Sequence, residues 1–297
     1  MKKIFFLLIL SFSLFSSGLY ARDVIEVQPL FEYPVAPEDI VSLDQRCDYL
    51  VKNFWNGFNF KEKNAVNQYA LNDAFQVYAS AIRYASKKEV DASLDKLIKN
   101  LSGNPILLMQ FGKAAEDCLY GPNAEFWIDE IYLQFLDAII KNKKIQQNRK
   151  TKYINQANSL RNSAKGNKAP TFDFTNTEGD AKFYFPMSTP TLLIFGNPDN
   201  TDWRLSRLRM DSNFTFQEAL DKGKINVLFI VPKDIDNWQN LVSNYNSKWT
   251  IGEATEISKI YDVRLTPSIY IIDSTGTITE KNVSPDAAVA SILQMVN

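Results

Sequence analysis

Three short apolar runs constrain this 297-residue chain more than anything else in it. TPTLLIFGN (residues 189–197), INVLFIVP (225–232) and SIYIIDS (268–274) are too short for helices and have no polar interior face. Such runs are strands in the middle of a sheet that is covered on both sides. Helical segments separate them at residues 202–210, 214–221, 237–245 and 253–263, and a last helix follows at 285–296. ITEKNV (278–283) returns from the third strand as a hairpin around Thr275-Gly276. The order predicts an α/β unit, a mixed sheet flanked by helices.

The first half follows a different period. In residues 42–55, Leu43, Cys47, Leu50, Val51 and Phe54 recur at three- and four-residue spacing behind a potential cap at Ser42. The same pattern predicts helices over residues 72–85, 89–101, 105–120, 126–142 and about 149–164, with Pro105 opening one of them. An extended arm over residues 23–38 precedes this bundle. Turn formers and alternating aromatics replace the helical period in KGNKAPTFDFTNTEGD (165–180), which puts the boundary near Gly166. Residues 1–21, with Lys2, Lys3 and a short apolar stretch, read as a secretory signal peptide. The expected organisation is therefore a leader over 1–21, an arm and all-α domain over 22–165, and an α/β domain over 166–297. A periplasmic or otherwise exported location, after removal of the leader, follows from it.

Composition excludes several kinds of chemistry. There is no histidine, which removes imidazole-dependent nucleophiles and most transition-metal sites. Lys and Arg number 33 against 34 Asp and Glu, without the basic excess of a nucleic-acid binder. No phosphate-binding glycine loop, acidic metal loop or nucleophile elbow is present, so no cofactor or metal is expected. The basic stretch at residues 141–152 reads as a solvated linker at a helix C-terminus, with attachment to an anionic surface as its alternative.

In the second half, Ala169-Pro170-Thr171-Phe172, Gly179, Tyr261-Asp262-Val263 and Leu265-Thr266-Pro267 followed by Ser268-Ile269-Tyr270-Ile271-Ile272-Asp273 form a recognisable set. They resemble extracytoplasmic thioredoxin-like proteins of the thiol-disulfide interchange type. The first half, through FWNGFNF (54–60) and residues 118–140, resembles the helical domain of unknown function that precedes such folds in some secreted bacterial proteins. The resemblance implies a thioredoxin fold, with a cis-proline at Pro267. It puts residues 199–203 where the family carries its Cys-x-x-Cys pair.

Here the quartet is Asn200-Thr201-Asp202-Trp203. Thiol-disulfide exchange needs an attacking thiolate and a second thiol that resolves the mixed disulfide. A carboxamide and an indole supply neither, and the hydroxyl of Thr201 has no base to activate it. The reading is a redox-inactive binding or scaffold module of the cell envelope, not an enzyme at this site. Its partner would be another envelope protein or a peptide. Asn200, Thr201, Asp202, Trp203, Thr266 and Pro267 are the candidate contact residues, with Trp203 either an exposed anchor or an inward-facing filler of the lost cysteine space. The alternative is an oxidoreductase working through Cys47 and Cys118, the only two cysteines. These two otherwise serve as core thiols or as one structural disulfide, whose loop closure would contribute about 4 kcal/mol.

Overall fold

A computed structural model of the chain describes residues 28–296. The expected leader at 1–21 lies outside the described residues. Six helices fill the first half: α1 (Leu43–Asn53), α2 (Gln68–Ile82), α3 (Lys87–Leu101), α4 (Pro105–Leu119), α5 (Asp129–Lys141) and α6 (Gln147–Asn162). Side-chain caps fix three of their starts. Asn67 accepts from the backbone N–H of Tyr69 and Ala70, Ser86 from Glu89, and Asn104 from Ile106 and Leu107 ahead of Pro105. Ser42 stands at the start of α1, but its hydroxyl makes no capping bond. The apolar faces meet in one core that includes Leu71, Phe75, Leu108, Phe111, Phe135 and Ile139. Within it Tyr78 donates to Ser93 (2.9 Å), and Ser93 donates to the Val51 carbonyl (2.7 Å). The arm ahead of α1 is anchored by Phe31, edge-on to Phe54 at 5.7 Å, and by Tyr33, stacked on the same ring at 5.2 Å.

The second half contains β1 (Phe172–Asn176), β2 (Ala181–Tyr184), β3 (Thr191–Phe195), α7 (Thr201–Ser212), α8 (Phe214–Asp221), β4 (Asn226–Pro232), α9 (Trp238–Leu241), β5 (Thr250–Ala254), β6 (Ser268–Ile272), β7 (Ile278–Lys281) and α10 (Pro285–Gln294). One seven-stranded sheet runs in the order β2-β1-β5-β4-β3-β6-β7. The pairs β3–β4 and β4–β5 are parallel and the others antiparallel. Every residue of β3 and β6 is buried, as their unbroken apolar runs require. Leu192, Ile194, Phe229 and Ile271 face α7, α8 and α10. Leu193, Phe195, Leu228 and Tyr270 face the opposite layer, where Phe172 and Tyr261 pack.

Four local expectations need correction. The helix expected over 253–263 is instead the end of β5 followed by a single 3-10 turn at Ile257–Lys259. Its apolar spacing is overridden by pairing: Gly252 lies between Ile230 of β4 and Asn176 of β1. A Cβ on Gly252 would come within 2.4 Å of the Phe174 ring and 2.5 Å of the Thr175 carbonyl, so this strand passes its neighbour at glycine distance. The helix expected over 237–245 shrinks to the four residues of α9. The stretch 165–180, read only as a boundary, contributes β1, and β2 follows from it. The stretch 141–152 is a solvated linker only in part: Lys141, Lys143, Lys144, Arg149 and Lys152 are exposed, but the linker ends at Gln146. Its second part starts α6, where Lys150 is buried and donates to the Ile140 carbonyl (2.8 Å), and Lys152 pairs with Glu116 at 2.6 Å.

Candidate functional site

The quartet 200–203 opens α7, directly after β3. Asn200 is the N-cap: its side-chain oxygen accepts from the Trp203 backbone N–H at 2.8 Å, a bond that satisfies one orphan donor of the helix start. Thr201 and Asp202 are exposed. Trp203 is fully buried; its indole lies parallel to the Phe229 ring, and its N–H donates to the Tyr245 hydroxyl at 3.0 Å. It therefore presents no surface to a partner. Of the two roles open to it, filling the core is the one observed, and the exposed anchor is not.

The segment Leu265-Thr266-Pro267 crosses in front of β3. The Thr266–Pro267 bond is cis. Ser268 closes the turn, its hydroxyl accepting from the Leu265 N–H and donating to the Leu265 carbonyl. Gly196 packs closely here: a Cβ there would stand 3.4 Å from that of Pro267 and 3.3 Å from the Phe229 ring. Thr266 is exposed and Pro267 half-buried.

Beside this loop is a cleft of about 350 Å³, outside the C-terminal ends of the parallel trio β3, β4 and β5. That end of a parallel array is where α/β sheets present crevices. Phe195, Ile230, Ile257, Val263 and Leu265 form its apolar wall, and Lys233, Asp234 and Glu256 its polar edge. The sequence reading missed it, because its lining comes from four separate segments. Only Thr266 among the expected contact residues lines it.

The loop is also tied to the helical half. Arg264, next to Leu265, has a side chain only 2% exposed. It donates to both carboxylate oxygens of Asp262 and, through Nη2, to Asp129 of α5 at 2.6 Å. Its guanidinium lies between the rings of Tyr120 (4.3 Å) and Trp127 (5.2 Å). Lys281 completes the cluster, reaching Asp129 at 2.6 Å and Asp262 at 3.2 Å. Burial alone would push the Asp262 carboxyl up, but the bonds and charge of Arg264 and Lys281 hold it below the ordinary range. Two acids and two bases thus neutralise each other across the boundary between the halves. Sequence offered one hint only, the closely spaced Asp262 and Arg264; their partners are 19 to 144 residues away.

Cys47 and Cys118 are both buried and both free, so of their two structural roles the core thiol is observed and the disulfide is not. Burial and the neighbouring carboxylates push both thiols up, Cys118 to about 12. A thiol in that state is a poor nucleophile at neutral pH. Among the described residues no group of three His, Cys, Asp or Glu side chains is arranged to hold a metal. No helix there is long and apolar enough to cross a membrane.

An all-α half followed by this mixed sheet gives a thioredoxin-like fold with an N-terminal helical domain. Residues 15–163, half of the chain, match the domain of unknown function DUF5106, and the chain belongs to that family. Among solved structures, a thioredoxin-like protein from Bacteroides caccae is similar at 20% identity and a TM-score of 0.68, covering 90% of this chain and 99% of that one. A conserved protein of unknown function from Bacteroides fragilis is similar at 24% identity and a TM-score of 0.40, over 42% of this chain and 96% of that one. The thioredoxin domain of a thiol-disulfide oxidoreductase from Bacteroides vulgatus gives 17% identity and a TM-score of 0.39, over 45% and 99%. Among curated proteins the sequence has no match.

Proposed function

We propose that this protein is a redox-inactive member of the thioredoxin-like class, a binding or scaffold module of the bacterial cell envelope. On this reading a leader over 1–21 directs export, and the division at 165/166 separates a helical support from the binding fold. The observation that carries the proposal is what occupies the first turn of α7: Asn200 is spent as a helix cap and Trp203 as core. Neither position can exchange a disulfide. What remains open at this end of the sheet is the cleft beside Thr266, apolar on its wall and polar at its edge. It suits an extended segment of a protein or peptide whose apolar side chains enter while its backbone pairs at the loop.

The competing reading, an oxidoreductase using Cys47 and Cys118, is disfavoured by their burial and by a thiol pushed up to about 12 at Cys118. The cleft reading is tested by placing a photo-crosslinking side chain at Thr266, with a control at exposed Lys99 on α3, in envelope extracts. A discrete adduct from position 266 that is absent from position 99, and that Leu265→Asp abolishes, is the expected result. Equal labelling from both positions, or none from either, would overturn the assignment of the cleft.

A further inference from the structure

The helical half has two unlike ends. One end meets the α/β half, where Asp129 at the start of α5 pairs with Arg264 and Lys281. Lys87, which opens α3, stands at that same end, within reach of the Glu130 charge. From there α5 carries the chain about 18 Å to the opposite end, where Lys141 closes it. Three segments far apart in sequence converge on that opposite end. The turn after α5 is bonded to the turn between α3 and α4: Asn142 donates to the Ser102 carbonyl at 3.0 Å, and Lys144 to the Gly103 carbonyl at 2.9 Å. Asn104 donates to the Glu62 carbonyl at 2.7 Å, which brings in the segment ahead of α2. Lys61 and Lys63 of that segment border a shallow hollow of about 390 Å³ together with Gly103 and Asn104. The result is a face carrying Lys61, Lys63, Lys141, Lys143 and Lys144, all exposed. Among the described residues, Lys141 alone of the five pairs with a carboxylate, that of Asp137 at 3.5 Å. Glu62, between two of them, turns its carboxylate to the backbone N–H groups of Lys63 and Asn64.

We propose that this end of the helical bundle is a docking surface for anionic phospholipid headgroups, seated on the lysines of residues 61–63 and 141–144. Charge complementarity argues for that partner. The chain as a whole is nearly neutral, with 33 Lys and Arg against 34 Asp and Glu, so a local excess of this size is a concentrated field. Ammonium groups spread over one face meet a layer of headgroup phosphates as point charges, while their stems lie along apolar surface. Ile106, exposed and next to Pro105 at the edge of the hollow, supplies an apolar contact at headgroup depth. A nucleic acid fits less well, because the face offers no exposed ring on which a base could stack; Phe60 is half-buried, edge-on to Phe58 at 4.9 Å. Since this end is opposite Asp129, a chain docked by it holds the α/β half, and the cleft beside Thr266, away from the lipid. The surface and the cleft are separate, and either can fail without the other.

The test is co-sedimentation with vesicles of the chain from residue 22 onward, free of the apolar stretch at 4–15 that would bind lipid by itself. Vesicles of phosphatidylglycerol and phosphatidylcholine at about 1:3 are compared with pure phosphatidylcholine, at about 20 mM and about 0.5 M NaCl. Binding to the anionic vesicles at low salt is expected, lost at high salt and absent with the neutral lipid. Lys61→Gln combined with Lys63→Gln should weaken it about 25-fold, at about fivefold per lysine, and Lys143→Gln alone about fivefold. Lys87→Gln combined with Lys88→Gln removes the same charge at the other end of α3, from exposed positions, and should leave binding unchanged. Neutral vesicles bound as strongly as anionic ones, no binding at low salt, or an equal loss in the Lys87 and Lys88 variant would overturn the proposal. So would equal capture of a single-stranded oligonucleotide, abolished by the Lys61 and Lys63 substitutions, which would assign the face to polyanions in general.

Discussion

Trp203 lies on Phe229 with ring centres 5.2 Å apart and planes 5° from parallel. Trp203 is thus a link between α7 and the central strand β4. Removing it should cost stability. Trp203→Ala is expected to destabilise by about 3–5 kcal/mol, the range for deleting a large buried aromatic, read as a lower urea midpoint. A change of a few tenths of a kcal/mol would mean that the indole is not core.

Arg264 joins the halves, and the ions it pairs with are buried. Arg264→Ala leaves Asp262, 0% exposed, with Lys281 at 3.2 Å as its remaining cation, and should destabilise toward the lower end of about 3–5 kcal/mol, the range for breaking a buried ion pair. Asp129→Asn keeps the Asp262 contact and should cost less. Hydrogen exchange should in addition quicken at residues 263–267 in both variants, because the loop loses its tie to α5.

The same cluster sets an acid limit. The folded-state pKa of Asp262 is lowered, so its contribution is complete above the unfolded-chain value of about 3.9 and is lost as pH falls through the lower folded value. Urea midpoints measured from pH 5 down to pH 2.5 should fall along this limb. In Asp262→Asn the slope should be shallower by up to about one proton. An unchanged slope would remove Asp262 from the acid response.

Gly252 tests the sheet. The close approach of Phe174 and the Thr175 carbonyl leaves no room for a methyl group, so Gly252→Ala should destabilise by about 1–3 kcal/mol. Gly103→Ala, where a Cβ meets nothing within 4 Å, is the matched control and should be near neutral.

The sequence was most legible where one periodicity acts alone. LLIF, VLFIV and IYII are central strands because nothing polar interrupts them, and the amphipathic runs of the first half became helices with ends shifted by a few residues. It was least legible where distant pairing decides. Residues 250–254 carry no clear strand signal of their own; β4 and β1 on either side make them one. Trp203 could not be assigned inward or outward from its helical position, since Phe229 and Tyr245 come from elsewhere in the chain. The Arg264 cluster was invisible for the same reason.

The central claim, that no thiol chemistry resides here, is tested most directly by counting reactive thiols without reductant, native and in denaturant, beside an insulin-reduction assay. The account predicts no fast-reacting thiol in the native protein, two after denaturation, from Cys47 and Cys118, and no turnover. Native thiols that react and cycle, with turnover that disappears in Cys47→Ser, would contradict it and move the active centre into the helical half.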